Sequence, residues 1–113
     1  MNISVELFEK NMNVKGIIKG EIDAFTAPVL RENLLDISLK ENILIELDLT
    51  DVSYMDSTGL GVFVGIYKSV NALNGQLKLT GLSSRLKRLF DITGLVEIMD
   101  IQTREEVMID ETV

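Results

Sequence analysis

Apolar and polar residues alternate along the start of the chain. Between residues 3 and 7 every second side chain is apolar, which is typical of a strand with one buried face. Residues 10–13 predict a turn into a second strand over residues 14–19, and so short a connection favours an antiparallel hairpin. The run over residues 43–49 is nearly continuous in apolar residues. We therefore expect a central strand covered on both faces there.

Three later segments carry apolar residues at helical spacing, and each has start and stop signals. Thr26, Ala27 and Pro28 predict the start of the first helix, because proline is tolerated in the first turn. The second helix is expected over residues 57–73, with Asn74-Gly75 as its stop signal. The third is expected over residues 84–93.

The remaining segments complete an alternating order. Residues 76–80 predict a strand, residues 95–101 an edge strand, and the capping-box spacing at residues 103–106 a last short helix. The predicted class is α/β: a mixed, mostly parallel sheet of four to five strands with an N-terminal hairpin and about four helices. Sites in such sheets collect where strands end and helices begin, and the most unusual junction covers residues 48–61.

Composition narrows the possible functions. A chain of 113 residues with 46% hydrophobic content predicts one domain, residues 1–113. The net charge of -7 argues against direct nucleic-acid binding. Residues 1–10 do not resemble a signal peptide, and the longest uncharged stretch, residues 57–67, is shorter than the roughly 20 residues of a membrane span. Without cysteine, the chain suits a reducing compartment, so we expect a cytoplasmic protein.

The junction has two interpretations from its residues alone. Ser57 is expected to be the N-cap of the second helix, which is an ordinary structural role. However, Asp56, Ser57 and Thr58 are more polar residues than one cap needs. Gly59 and Gly61 each cost up to about 1 kcal/mol relative to alanine in a helix, and small residues let a backbone or a phosphate approach. The positive end of the helix also accommodates a phosphate on Ser57.

The helix that follows is apolar on most sides, which is typical of a buried helix. Ser57, Gly61 and Gly65 nevertheless recur at four-residue spacing. If that smooth face is exposed, a partner can lie flat along it.

Enzymatic alternatives have weaker support. Gly59-Leu60-Gly61 is not followed by the Gly-Lys-Ser/Thr of a phosphate-binding loop. Asp48, Asp51 and Asp56 suit a Mg²⁺ site, or simply a solvated surface. The chain has no histidine and no cysteine, so Ser57 has no evident activating base except a carboxylate.

Three blocks of the sequence carry a family resemblance. Residues 51–65, DVSYMDSTGLGVFVG, closely resemble the phosphorylation segment of anti-sigma-factor antagonists, which are STAS domains. The segment GEID at residues 20–23 with TAP at residues 26–28 is similar to the stretch before that family's first helix. RLFDITGL at residues 88–95 is similar to its third helix and exit. The resemblance is greatest to the sigma-B general-stress branch.

This resemblance implies a partner-switching cycle. The unphosphorylated protein binds an anti-sigma factor that is also a serine kinase, and the sigma factor is released. The kinase phosphorylates Ser57, and a PP2C-type phosphatase restores the free form. The resemblance implies no catalysis, cofactor, metal or membrane, and a monomer when free. The partner-binding residues that it implies are Asp23, Thr26, Met55, Asp56, Thr58, Gly59, Leu60 and Gly61.

Two alternatives remain open at this stage. A STAS domain can also act as a scaffold that is permanently assembled and is not released by phosphorylation. The basic cluster Arg85, Lys87 and Arg88 is either a solvated helix face or a patch that orients an acidic partner.

Overall fold

The computed structural model describes residues 2–94 and 97–103. Five strands and three helices occur in that part of the chain. They are β1 (Ile3–Lys10), β2 (Asn13–Ile22), α1 (Ala27–Ser38), β3 (Leu44–Met55), α2 (Ser57–Ala72), β4 (Gln76–Leu82), α3 (Ser84–Thr93) and β5 (Asp100–Thr103).

The strands form one sheet in chain order, β1-β2-β3-β4-β5. β1 pairs antiparallel with β2, and every later pair is parallel. The predicted mixed sheet with an N-terminal hairpin is therefore confirmed. The predicted fourth helix lies outside the described residues, apart from Thr103, which ends β5. The predicted edge strand began too early. β5 starts at Asp100, and residues 95 and 96 lie outside the described part.

The described helices pack on one face of this sheet. Parallel connections are right-handed, and each one here moves to the next strand in the same direction, so α1, α2 and α3 fall on one side. Side chains of β3 alternate accordingly. Ile45 and Leu47 are buried, whereas Leu44 is 42% exposed. The prediction that this strand is covered on both faces is wrong for the described residues, because all the crossovers run in one direction.

The opposite face of the sheet carries charges of alternating sign. Lys15, Glu46, Lys78 and Asp100 are register partners on four successive strands. The Nζ atom of Lys15 lies 3.7 Å from Oε2 of Glu46. Neighbouring opposite charges on adjacent strands are favourable, and such a row suits a face in contact with water.

Aromatic contacts join two of the helices inside the core. Phe63 of α2 and Phe90 of α3 are fully buried, and their ring centroids are 6.3 Å apart with planes inclined at 56°. Such tilted pairs are favourable beyond the area that they bury. This contact in the core helps to fix the position of α2, whose first residue is Ser57.

β3 is longer than the apolar run that predicted it. It continues to Met55, and two register shifts separate it from a regular pairing with β2. Such bulges bend a strand and increase its local twist. The two strands end together at the paired residues Ile22 and Met55. Asp23 and Asp56, the residues that follow, therefore leave the sheet side by side.

Candidate functional site

Asp56 forms the turn between β3 and α2. Its backbone is extended, with φ -109° and ψ -174°. Its Oδ1 atom accepts hydrogen bonds from the backbone N–H of Thr58 at 2.9 Å and of Gly59 at 3.2 Å. Asp56 is therefore the N-cap of α2, and the prediction that Ser57 is the cap is wrong. The carboxylate one residue earlier already satisfies the two N–H groups that a cap must satisfy.

Ser57 is the first residue of α2, and its side chain is exposed. Among the described residues, none forms a hydrogen bond with its hydroxyl. The hydroxyl lies at the positive end of a 16-residue helix, where negative charge is favourable. The cap and the exposed hydroxyl therefore belong to two different residues.

Asp23 forms a second turn, between β2 and α1. Its Oδ1 atom accepts the N–H of Phe25 at 2.9 Å and the N–H of Thr26 at 3.0 Å. The Thr26 hydroxyl accepts the N–H of Asp23 at 2.9 Å and donates to the carbonyl oxygen of Glu21 at 2.8 Å. The hydrogen bond from the Thr26 N–H, with a smaller one from Phe25, holds the pKa of Asp23 below its usual 3.8, although desolvation opposes the shift. Asp23 thus stays ionised and holds this turn closed.

The two turns are joined directly. The N–H of Asp56 donates to the carbonyl oxygen of Ile22 at 3.2 Å. Gly59 packs in the same seam, since a Cβ there would lie 2.5 Å from Cγ2 of Ile22 and 2.9 Å from Cγ of Met55. Glycine at position 59 is therefore explained by packing within the chain.

The predicted partner-binding residues fall into two groups by exposure. Thr58 and Gly61 are exposed, and Asp23 and Asp56 are half-buried. The rest are buried and support the two turns from within the chain. These buried residues are Thr26, Met55, Gly59 and Leu60.

A groove of about 580 Å³ runs between α1 and α2, and Thr58, the residue after Ser57, lines it. Gly61 and Gly65 lie in its wall, and a Cβ at either position would meet nothing within 4 Å. Ser57, Gly61 and Gly65 are all exposed, so the smooth face that the spacing suggested is on the surface. No packing within the described chain explains these two glycines. The groove is lined by Ala24, Ala27, Pro28, Arg31, Leu35, Thr58, Gly61, Val62, Gly65, Ile66 and Ser69.

Two exposed aromatic residues near this site were missed from the sequence. Phe25 is 75% exposed in the Asp23 turn, and Tyr54 is 46% exposed near the end of β3. A large apolar residue inside a polar turn was the available signal for Phe25. Tyr54 had no comparable signal, because an aromatic residue in a strand is ordinary.

The three acids of the magnesium alternative do not come together. In the part of the chain that the structure describes, no three Asp, Glu, His or Cys side chains form a metal-sized cluster. Oδ1 of Asp48 instead accepts bonds from the N–H of Thr50 at 2.9 Å and from its hydroxyl at 2.6 Å. The geometry gives the magnesium alternative no support.

The basic cluster of α3 is partly neutralised within its own helix. Lys87 Nζ lies 3.2 Å from Oδ1 of Asp91, one turn further along. Arg85 and Arg88 are exposed. Two of the three predicted basic side chains thus remain on the surface.

The sequence matches a known family over most of its length. Residues 14–108 match the model of the STAS domain. The chain belongs to the STAS family. An anti-sigma-B factor antagonist of Listeria monocytogenes is 51% identical over 109 residues, which are 96% of each chain. The anti-sigma-B factor antagonist of Bacillus subtilis is 51% identical over 106 residues, which are 94% of this chain and 96% of that one.

Solved structures agree with this membership at the level of the fold. The Bacillus cell fate determinant SpoIIAA, in its phosphorylated form, superposes with a TM-score of 0.71 at 24% identity, over 97% of this chain and 100% of that one. The names of the STAS relatives support an antagonist role, which belongs to a regulatory binding protein and not to an enzyme. Within the described residues, no helix is both long enough and apolar enough to cross a membrane.

Proposed function

We propose that this STAS protein is an anti-sigma factor antagonist that is switched by phosphorylation of Ser57. The unphosphorylated form binds an anti-sigma factor that is also a serine kinase, and so releases the sigma factor. The kinase phosphorylates Ser57, and the modified protein dissociates. A reversible cycle requires hydrolysis of this phosphate, and the family resemblance implies a PP2C-type phosphatase for that step. The protein acts as a cytoplasmic monomer when free.

One observation supports this function most strongly: the exposed Ser57 hydroxyl is separate from the cap of its helix. Asp56 already holds the N–H groups of Thr58 and Gly59. A phosphate on Ser57 therefore displaces no hydrogen bond among the described residues, and it is placed at the favourable end of the helix. The modification changes the charge of the surface and leaves the fold in place.

A change of charge at Ser57 is large enough to release a partner. Phosphorylation adds about -1.5 to -2 charges at neutral pH. With a partner carboxylate about 6 Å away and an effective dielectric constant of about 20, the repulsion is about 5 kcal/mol. Even after screening to about 3 kcal/mol, the affinity falls by more than a hundredfold.

The proposed contact surface follows the exposure of the site residues. Asp23, Asp56, Thr58 and Gly61 touch the kinase, and the smooth wall at Gly61 lets a partner backbone approach. The buried residues support this surface from the core and are not themselves covered by the partner. These supporting residues are Thr26, Met55, Gly59 and Leu60.

The test is a phosphorylation assay with the anti-sigma kinase and ATP, analysed by intact mass. Wild type is expected to gain one phosphate, and Ser57→Ala none. Ser84→Ala is a matched control, because Ser84 is also an exposed first residue of a helix, with Ser83 as its cap. This variant is expected to gain one phosphate like wild type.

The outcomes separate this function from its nearest alternative. A folded wild type that gains no phosphate while it binds the kinase is a permanently assembled scaffold. Phosphate on Ser57→Ala places the switch on another residue. Size-exclusion chromatography with the kinase, before and after phosphorylation, then shows whether the modified form dissociates.

A further inference from the structure

Phe25 is an aromatic side chain that the fold leaves in water. The chain has four phenylalanines, of which Phe63 and Phe90 are fully buried, whereas Phe25 is 75% exposed. Burial of a phenylalanine is one of the larger gains available to a side chain. Folding does not bury the ring of Phe25, so the free energy of burying it is available to a complex with a partner.

The turn around Phe25 is already held in one conformation. Its N–H donates to Asp23 Oδ1, and the next N–H, of Thr26, donates to the same atom. The Ala27 N–H donates to the carbonyl oxygen of Asp23 at 2.8 Å. These bonds hold the backbone on both sides of Phe25, and none of them involves its ring. A ring presented on a rigid turn loses little entropy when it is bound.

The turn that carries Phe25 is joined to the turn that precedes Ser57. Its turn begins after Ile22, whose carbonyl oxygen accepts the N–H of Asp56. Ala24 and Pro28, on either side of Phe25 in the sequence, line the groove that Thr58 also lines. A partner that covers Ser57 and this groove therefore reaches Phe25 without a second, separate contact.

We propose that Phe25 is the apolar anchor of the kinase interface and inserts into a pocket on the kinase beside its contact with Ser57. This inference rests on the proposed function. The occupant is a protein surface, because Asp23 and Asp56 on the flanking turns repel nucleic acid and anionic lipid. The kinase pocket that fits is apolar and has basic side chains at its rim, opposite those two carboxylates. Anchors of this kind supply much of the affinity of an interface.

The test compares Phe25→Ala with Phe8→Ala by calorimetric titration of the unphosphorylated protein with the kinase. Phe8 is a matched control, since it is 56% exposed but lies on β1, near the opposite end of the sheet. Phe25→Ala is expected to raise Kd by about 10- to 100-fold, and Phe25→Leu by less. Phe8→Ala is expected to leave Kd unchanged. All three variants should keep Tm within about 3 °C of wild type, because the replaced ring is exposed.

Phosphorylation kinetics provide an independent readout. Phe25→Ala should raise KM for phosphorylation of Ser57 and leave kcat unchanged, because the ring contributes binding and does not touch the reacting atoms. An unchanged Kd and KM for folded Phe25→Ala overturns the inference and leaves the proposed function standing. Wild type that neither binds the kinase nor is phosphorylated overturns both. If Phe25→Ala instead abolishes self-association of the chain in sedimentation velocity, with Kd for the kinase unchanged, Phe25 is a homodimer contact and the inference is wrong.

Discussion

The Asp23 turn and the Asp56 turn are built in the same way. In each, the carboxylate Oδ1 atom accepts the N–H groups of the second and third residues that follow. Each turn follows a parallel strand and leads towards a helix. Helix N-caps and Asx-turns share this pattern of hydrogen bonds from backbone N–H groups to a side-chain oxygen.

The turns differ in the residue that each exposes. Asp56 is itself the cap of α2, so the exposed residue Ser57 is part of a rigid helix and presents a hydroxyl. The Asp23 turn precedes α1, and Thr26, the N-cap of that helix, makes no side-chain hydrogen bond to it. This turn presents the ring of Phe25. One scaffold therefore displays a hydroxyl on one turn and an apolar ring on the other. In the proposed function the hydroxyl provides regulation and the ring provides affinity.

The largest expected effect on stability comes from the contact of Gly59 with Ile22 and Met55, between the two turns. Gly59→Ala should lower the free energy of unfolding by about 1–3 kcal/mol, because the new Cβ collides with Ile22 and Met55. Chemical denaturation with urea measures this change. Both turns should loosen together, since Ile22 ends one strand and Met55 the other.

Gly61→Ala is the matched control for this substitution, two residues further along α2. A Cβ there meets nothing, so the variant should be more stable than wild type by about 0.5–1 kcal/mol. It should still bind the kinase less well, because the methyl group enters the groove. Destabilisation by Gly61→Ala, or tolerance of Gly59→Ala, would contradict this packing.

A smaller effect is expected from removal of the cap. Asp56→Ala should cost about 1 kcal/mol of unfolding free energy, because the N–H groups of Thr58 and Gly59 lose their acceptor. Asp56→Asn should lie close to wild type, since an asparagine oxygen accepts the same bonds. Thermal unfolding of the pair provides the measurement. If Ser57→Ala proved as destabilising as Asp56→Ala, the cap would belong to Ser57 after all.

The smallest expected effect is a pH dependence of stability that arises from the Asp23 turn. The pKa of Asp23 is lowered by folding, so its contribution to stability is present above the unfolded value of about 3.8 and is lost as the pH falls through the folded value. Asp23→Asn keeps an acceptor but cannot titrate. Its stability should therefore fall less steeply than that of wild type when the pH is lowered below about 4 in urea titrations.

Substitution of Asp23 by alanine distinguishes the role of its hydrogen bonds from the role of its charge. Asp23→Ala removes the acceptor of the Phe25 and Thr26 N–H groups, and it should weaken kinase binding more than Asp23→Asn. Equal losses for the two variants would mean that the charge of Asp23, and not the shape of its turn, is what the partner recognises.

The sequence predicted the order of strands and helices well, because periodicity and stop signals are local. It failed on the cap of α2, since Asp56 and Ser57 are both favoured cap residues and only the extended backbone of Asp56 decides between them. It also misjudged β3. Leu44 makes the apolar run look continuous, although Glu46 already marks the open face.

The site was found by its resemblance and by its unusual junction, but its division into exposed and buried parts was not predicted. Gly59 and Gly61 look alike in the sequence, yet one fills a seam and the other borders a groove. That distinction depends on Ile22, which is distant in the chain. Phe25 was missed although a local signal was available, because a large apolar residue stands inside the polar Asp23 turn.

The simple order of strands in the sheet also affects how the molecule assembles. Each strand pairs with the one that precedes it in the chain, so no strand must wait for a partner that has not yet been synthesised. The β1–β2 hairpin can form first, and each later strand then adds to an existing edge with its own helix. The hydrogen bond that joins the two turns links the ends of β2 and β3. The junction that carries Ser57 therefore needs no residue of β4 or β5 for that contact.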